Sequence, residues 1–190
     1  MAHDPRGTAR RRFALLVAFV AAAATACARP APRAPADPGT RAIELEVIRL
    51  TNAHRRSRAL PVLREDPTLA ALARGHSREM ARAEGIGHDG LRRRFRYAAA
   101  SLPLAKFAEN VARTGRYQKR AQAAWVVGAW IESDVHRVHL EEGAFGRVGV
   151  GVVRHPSGAL YFTQLFAAVR EPPDRRDPRE ARSVPASIHP

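Results

Sequence analysis

Residues 148 to 152 read Val-Gly-Val-Gly-Val, and no other stretch of the chain limits its fold so tightly. β-Branched residues alternating with glycine form a strand with one apolar face and one bare face. The bare face invites another backbone to pack directly on it. Pro156-Ser157-Gly158 supplies a turn, and Leu160 to Val169 supplies a return strand. The folded region therefore ends in a β-hairpin.

The segments before it read mainly as helices. In residues 41–57, Ile43, Val47, Leu50 and His54 share one helical face. Pro61 ends that pattern, and Val62-Leu63 forms a short strand or extended link. Asp66 is an N-cap with Pro67 at the first helical position. Leu69, Leu72, Ala73, His76 and Met80 then line one face, up to Gly85 and Gly87. Arg92, Arg93, Arg94 and Arg96 surround Phe95 and Tyr97 on a short helix, read as solvated or as an anion-binding patch. Phe107 to Arg113 reads as a strand. Residues 117–132 are apolar almost all round, with Trp125 and Trp130, and are expected to be buried on most sides. Helices first and a hairpin last give an α+β fold, with helices covering a small sheet.

Both ends differ from this middle. Arg6 and Arg10 to Arg12 precede an apolar run, residues 13–24, too short to span a bilayer comfortably. The Arg10-Arg11-Arg12-Phe13 stretch resembles a twin-arginine signal. Cys27, the single cysteine, follows Thr25-Ala26 at the end of that run. Its position resembles a bacterial lipobox, which makes residues 1–27 an export signal and Cys27 a lipidation site. The other reading is ordinary cleavage after Ala26, leaving a secreted protein with a free thiol. Residues 28–40 form a Pro-rich linker, and residues 171–190 form a Pro- and charge-rich tail that cannot bury enough surface to order itself. One domain, residues 41–170, remains.

The net charge is +14. Within residues 41–170, 22 Lys plus Arg face 12 Asp plus Glu, so the excess is not confined to the ends. Such a surface attracts anionic envelope polymers and lipid headgroups. No nucleic-acid-binding motif is present and three tyrosines supply little stacking area, so nucleic acid is not an expected partner.

Six stretches, in order, resemble the bacterial branch of the CAP (SCP-like, pathogenesis-related) superfamily. They are Leu50-Thr51-Asn52 with Arg55, Leu69 to Ser77 ending at Met80, Gly87-His88, and Ala108-Glu109-Asn110-Val111-Ala112. Trp130-Ile131-Glu132-Ser133 with His136-Arg137 follows, then Gly149 to Val152 running to Tyr161-Phe162-Thr163-Gln164-Leu165-Phe166. The resemblance implies an α-β-α sandwich around a small antiparallel sheet. Eukaryotic members carry a cavity of two histidines and two glutamates. His88 matches the first histidine and Glu109 the first glutamate, whereas Ser133 and Tyr161 stand where the others would be. Ser133 and His136 match a Ser-x-x-His pattern of bacterial members. The implied cavity is His88, Glu109 and His136 with Ser133 nearby.

Two imidazoles and a carboxylate suit Zn²⁺ and leave a position for water, so His88, Glu109 and His136 are candidate metal ligands. No compact H-x-x-x-H or H-E-x-x-H pattern supports them. The alternative is that Glu109 ties loops together by accepting N–H donors and an imidazole proton. Ser133 with His136 lacks a nucleophile elbow and a third member, which favours a capping role. His76 reads as a core histidine bonded to backbone, His139, His155 and His189 as surface residues, and both tryptophans as core. The functional expectation is a non-enzymatic binding module at the cell envelope, anchored in the membrane or secreted, with a lipid, glycan or protein ligand. A metal-dependent hydrolase or protease is the alternative.

Overall fold

The computed structural model describes residues 37–115 and 121–170. The expected export signal with Cys27, linker residues 28–36, the tail with His189, and residues 117–120 of the expected apolar helix lie outside the described residues.

Helix α1, Pro38–Ser57, starts before the linker's expected end. Asp37 caps it by accepting the Thr40 N–H, and Pro38 loses nothing at the first turn. Its buried stripe includes Thr40, Glu44, Val47, Ile48, Thr51 and Arg55 rather than the purely apolar face that periodicity suggests. The two buried charges are fully engaged. Arg55 donates to the carbonyls of Pro61, Leu140, Glu142 and Phe145 at 2.7–3.2 Å. The Glu44 carboxylate accepts from Arg74 at 2.6 and 2.8 Å and from the Val152 N–H at 3.1 Å.

Strand β1, Arg64–Glu65, helix α2, Pro67–Ala83, and helix α3, Leu91–Ala99, follow. Strand β2, Leu104–Arg113, helix α4, Gln122–Glu132, and helix α5, Asp134–Glu141, lead into the hairpin of β3, Arg147–Arg154, and β4, Leu160–Val169. The sheet runs β1-β3-β4-β2. Its three long strands are antiparallel, as expected, but β1 pairs parallel to β3, so the sheet is mixed. The reason is local. Asn52 clamps Leu63 through both its N–H and C=O, and Asp66 donates its N–H to the Val148 carbonyl. The chain leaving α1 is thereby laid along β3 just where Asp66 caps α2.

Helices α1, α4 and α5 cover one face, around Val47, Trp130, Val150, Phe162 and Phe166. Helices α2 and α3 cover the other, around Leu69, Ala73, Ala98 and Leu165. The described domain is thus an α-β-α sandwich. Helix α4 is not buried all round. Trp130 is core and donates to the Val111 carbonyl at 3.1 Å, but Trp125 is 49% exposed, because α4 forms an outer layer with nothing beyond it among the described residues.

The bare face of β3 meets the backbone of α2. A Cβ at Gly149 would lie 2.2 Å from the Ala70 nitrogen, and one at Gly151 2.1 Å from the Arg74 nitrogen. No side chain fits there. Gly151→Ala is expected to destabilise the fold by about 1–3 kcal/mol or more, through overpacking against rigid backbone. Gly128 in α4 has open space around its missing Cβ, and Gly128→Ala is expected to stabilise by roughly 0.5–1 kcal/mol. Urea unfolding of the two variants checks both signs.

Candidate functional site

The candidate site is built on β2, an edge strand. Glu109 and Asn110 are successive residues, so they point to opposite faces of the sheet. Each gathers its own set of polar side chains.

Glu109 faces α2 and α3 and its side chain is wholly buried. Arg94 of α3 grips it as a fork, Nε to Oε2 at 2.6 Å and Nη2 to Oε1 at 2.7 Å. His88, from the loop before α3, donates Nδ1–H to Oε1 at 2.9 Å. Arg94 also donates to the Asp89 carbonyl at 2.7 Å, which fixes the loop that presents His88. His76 of α2 is buried nearby and donates Nε2–H to the Gly87 carbonyl at 2.8 Å. That matches the core role expected of it. Its Nδ1 is buried without a hydrogen-bond partner, 3.5 Å from a Glu79 oxygen.

Asn110 faces α4 and α5 and is fully buried. Its Oδ1 accepts from His139 Nδ1–H at 2.8 Å, and its Nδ2 donates to the His136 carbonyl at 3.3 Å. The His136 ring meets the Ser133 hydroxyl at 2.8 Å through Nδ1. Ser133 stands at the N-cap position of α5, where capping was expected, but its hydroxyl goes to this ring and not to a helix N–H. His139 was expected at the surface. It is half-buried because Asn110 draws it against β2. Burial, and then the charge of His88, push His136 below the ordinary imidazole value. Burial, then His136 and His88, do the same to His139.

The sequence candidates therefore divide between two sets. His88 and Glu109 touch each other, Ser133 and His136 touch each other, and His88 lies near enough to His136 for its charge to be felt. Among the described residues no group of three or more His, Cys, Asp and Glu side chains is placed to hold a metal ion. The donor set does not fit Zn²⁺ either. The Glu109 oxygens already face a guanidinium, and a dication there would crowd a second positive charge onto one carboxylate. Tyr161, where a second histidine would be, is buried with Arg113 over its ring at 5.3 Å.

Sequence reasoning missed Arg94, which was grouped with the solvated arginines. A signal was present. Leu91, Arg94 and Ala98 fall at i, i+3 and i+7, so Arg94 sits on the inward stripe of its helix. An arginine in such a stripe needs buried acceptors, a carboxylate or a set of carbonyls. The tyrosine and serine substitutions, by contrast, were visible in the sequence.

A model of the cysteine-rich secretory protein family (CAP) matches residues 48–166, and the chain belongs to that family. It is 31% identical over 127 residues to the uncharacterized protein YkwD of Bacillus subtilis (strain 168), covering 66% of this chain and 47% of YkwD. It is similar to an extracellular protein containing an SCP domain from Bacillus anthracis, at 25% identity and TM-score 0.58, over 73% of this chain and 45% of that one. It also shares its fold with an outer surface protein of Borrelia burgdorferi, at 18% identity and TM-score 0.60, over 69% of this chain and 96% of that one. The chain spans less than half the length of the two Bacillus proteins.

Two outcomes are expected. Arg94→Gln and Glu109→Gln should each destabilise by roughly 3–5 kcal/mol, because each strands a buried partner, whereas Arg94→Met/Glu109→Leu should recover most of the loss. Chemical denaturation of the three variants measures this. The second concerns pH. His136 and His139 bind protons less readily folded than unfolded, so their contribution is complete above the ordinary value of 6.5 and is lost as pH falls from there through their lower folded values. The urea midpoint should drop between about pH 7 and pH 5, and the drop should be shallower in His136→Asn/His139→Asn.

Proposed function

We propose that this CAP domain acts as a non-enzymatic binding module at the cell envelope, held there by a lipid on Cys27. The observation that carries the non-enzymatic half is the state of Glu109. Its two oxygens accept three N–H bonds from Arg94 and His88 and its side chain is sealed from solvent, an arrangement that supports a tie between loops over a general base. The imidazole of His136 meets a serine hydroxyl, but among the described residues no carboxylate orients it. Nothing in the geometry favours the hydrolase reading.

The binding half draws on charge. The folded region carries ten more basic than acidic residues, and exposed arginines such as Arg64, Arg92 and Arg96 lie on its surface. Anionic envelope polymers and headgroups complement such a surface. The extracellular and outer-surface descriptions of the Bacillus anthracis and Borrelia proteins agree with an exported location. The Pro-rich segment after Cys27 would serve as a semi-extended tether.

The purified chain should be retained on cell-wall fragments or anionic liposomes at low salt, and released as salt rises. Cys27→Ala should move the cellular protein from the detergent phase to the aqueous phase. Failure to bind either surface would remove the binding reading, unchanged partitioning would remove the anchor, and Zn²⁺ binding tighter than millimolar would reopen the hydrolase reading.

A further inference from the structure

A groove of about 340 Å³ lies between the C-terminal half of α2 and the β3–β4 hairpin, on a part of the molecule none of the site residues line. Arg78 and Arg82 reach it from the helix, and Arg154 and His155 from the hairpin. Ala81, Val153 and Pro156 complete the lining. Among the described residues no carboxylate lines it.

The three arginines converge on one groove without a counter-charge in its lining. Arg41, Arg49, Arg74, Arg93 and Arg94, on α1 to α3, each grip a glutamate. Arg78, Arg82 and Arg154 have no ion pair or hydrogen bond among the described residues. Arg78 and Arg82 stand four residues apart on one helical stripe, where like charges repel. The helix dipole accounts for a base in the last turn, such as Arg82, but not for Arg154 on the opposite wall. The His155 ring adds a donor. Its Nδ1 accepts the Ser157 N–H at 3.2 Å, so in the neutral ring the proton is on Nε2.

We propose that this groove binds a phosphate ester bearing an apolar substituent. The inference rests on the binding-module reading and names a ligand chemistry and a place for it. Guanidinium forks match phosphate oxygens in geometry and charge. Alanine, valine and proline give the adjoining carbons an apolar wall. The volume lies at the small end for ligand pockets and suits a headgroup with the first part of its chain rather than a whole lipid. Such an ester could be a membrane phospholipid or a soluble amphipathic phosphate.

Calorimetry of the purified full chain with dihexanoyl phosphatidic acid, below its micellar concentration and at low salt, tests the site. Arg78→Gln/Arg82→Gln/Arg154→Gln should weaken binding by at least about tenfold, and Arg154→Gln alone, on the exposed hairpin, should weaken it measurably. Arg56→Gln/Arg147→Gln/Arg170→Gln removes the same charge elsewhere and should leave the affinity within about twofold. No binding, or equal loss in the two triple variants, would overturn the proposal. Inorganic phosphate binding as tightly as the ester would also overturn it, since the apolar wall would then contribute nothing. With phosphatidylglycerol vesicles, selective loss in the groove triple variant supports the site and identifies a membrane lipid as its ligand. Retention on vesicles, with loss of the soluble probe, supports the site and identifies a soluble ester. A chain that binds envelope fractions but not the probe loses only the groove. A chain that binds the probe but no envelope fraction loses the envelope reading instead.

Discussion

The backbone of α2 lies directly on β3, and the rest of the structure is arranged around that contact. Two glycines make it possible, because any side chain at 149 or 151 would collide with the helix backbone. The approach brings Ser77 into the sheet, where its hydroxyl bonds the Gly151 carbonyl and Thr163 at 2.9 Å. It lets Arg74 reach Glu44 on α1, so one ion pair joins the two helical layers. The same carboxylate takes the Val152 N–H on the stretch of β3 that β1 leaves uncovered. An open edge that would otherwise invite pairing with another chain is thus partly closed from within.

Buried charge is the second organising device. Arg55 has no carboxylate partner and instead holds four carbonyls, which joins the end of α1 to the end of α5 and the turn into β3. Arg94 and Glu109 do the same for α3 and β2. The only cysteine of the chain, Cys27, precedes this domain, so the domain has no internal disulfide. Guanidinium bridges tie its elements together. A buried pair of this kind contributes little net energy against a hydrophobic substitute, but losing one partner is severe. Several residues of the family pattern, among them Asn52, Arg55, His76 and Asn110, act as such ties between elements.

That has a functional consequence. The polar residues that look catalytic in one dimension are mostly occupied in three. Glu109 is held by a fork and an imidazole, Asn110 binds the His139 ring and the His136 carbonyl, and Ser133 meets the His136 ring. Several exposed arginines have no partner among the described residues, and three of them converge on an apolar groove. Chemistry directed outward toward anions fits a binding module better than a hydrolytic centre.

Local order was legible in the chain itself. The Asp66-Pro67 helix start, the glycine-valine strand, the hairpin turn and the demand for a close neighbour on the bare face all follow from backbone sterics and side-chain period, which act over a few residues. The family pattern added the sandwich and placed His88 beside Glu109. Only the tertiary structure decided which charges go inside. Glu44 and Arg55 look like ordinary surface residues in sequence, since a charge is buried only where distant elements bring it a partner, and Arg74 and Phe145, which receive them, lie 30 and 90 residues away. The mixed sheet, the outward Trp125 and the separation of the candidate ligands onto two faces of β2 have the same origin: each is fixed by contacts between segments remote in sequence, to which local periodicity is blind.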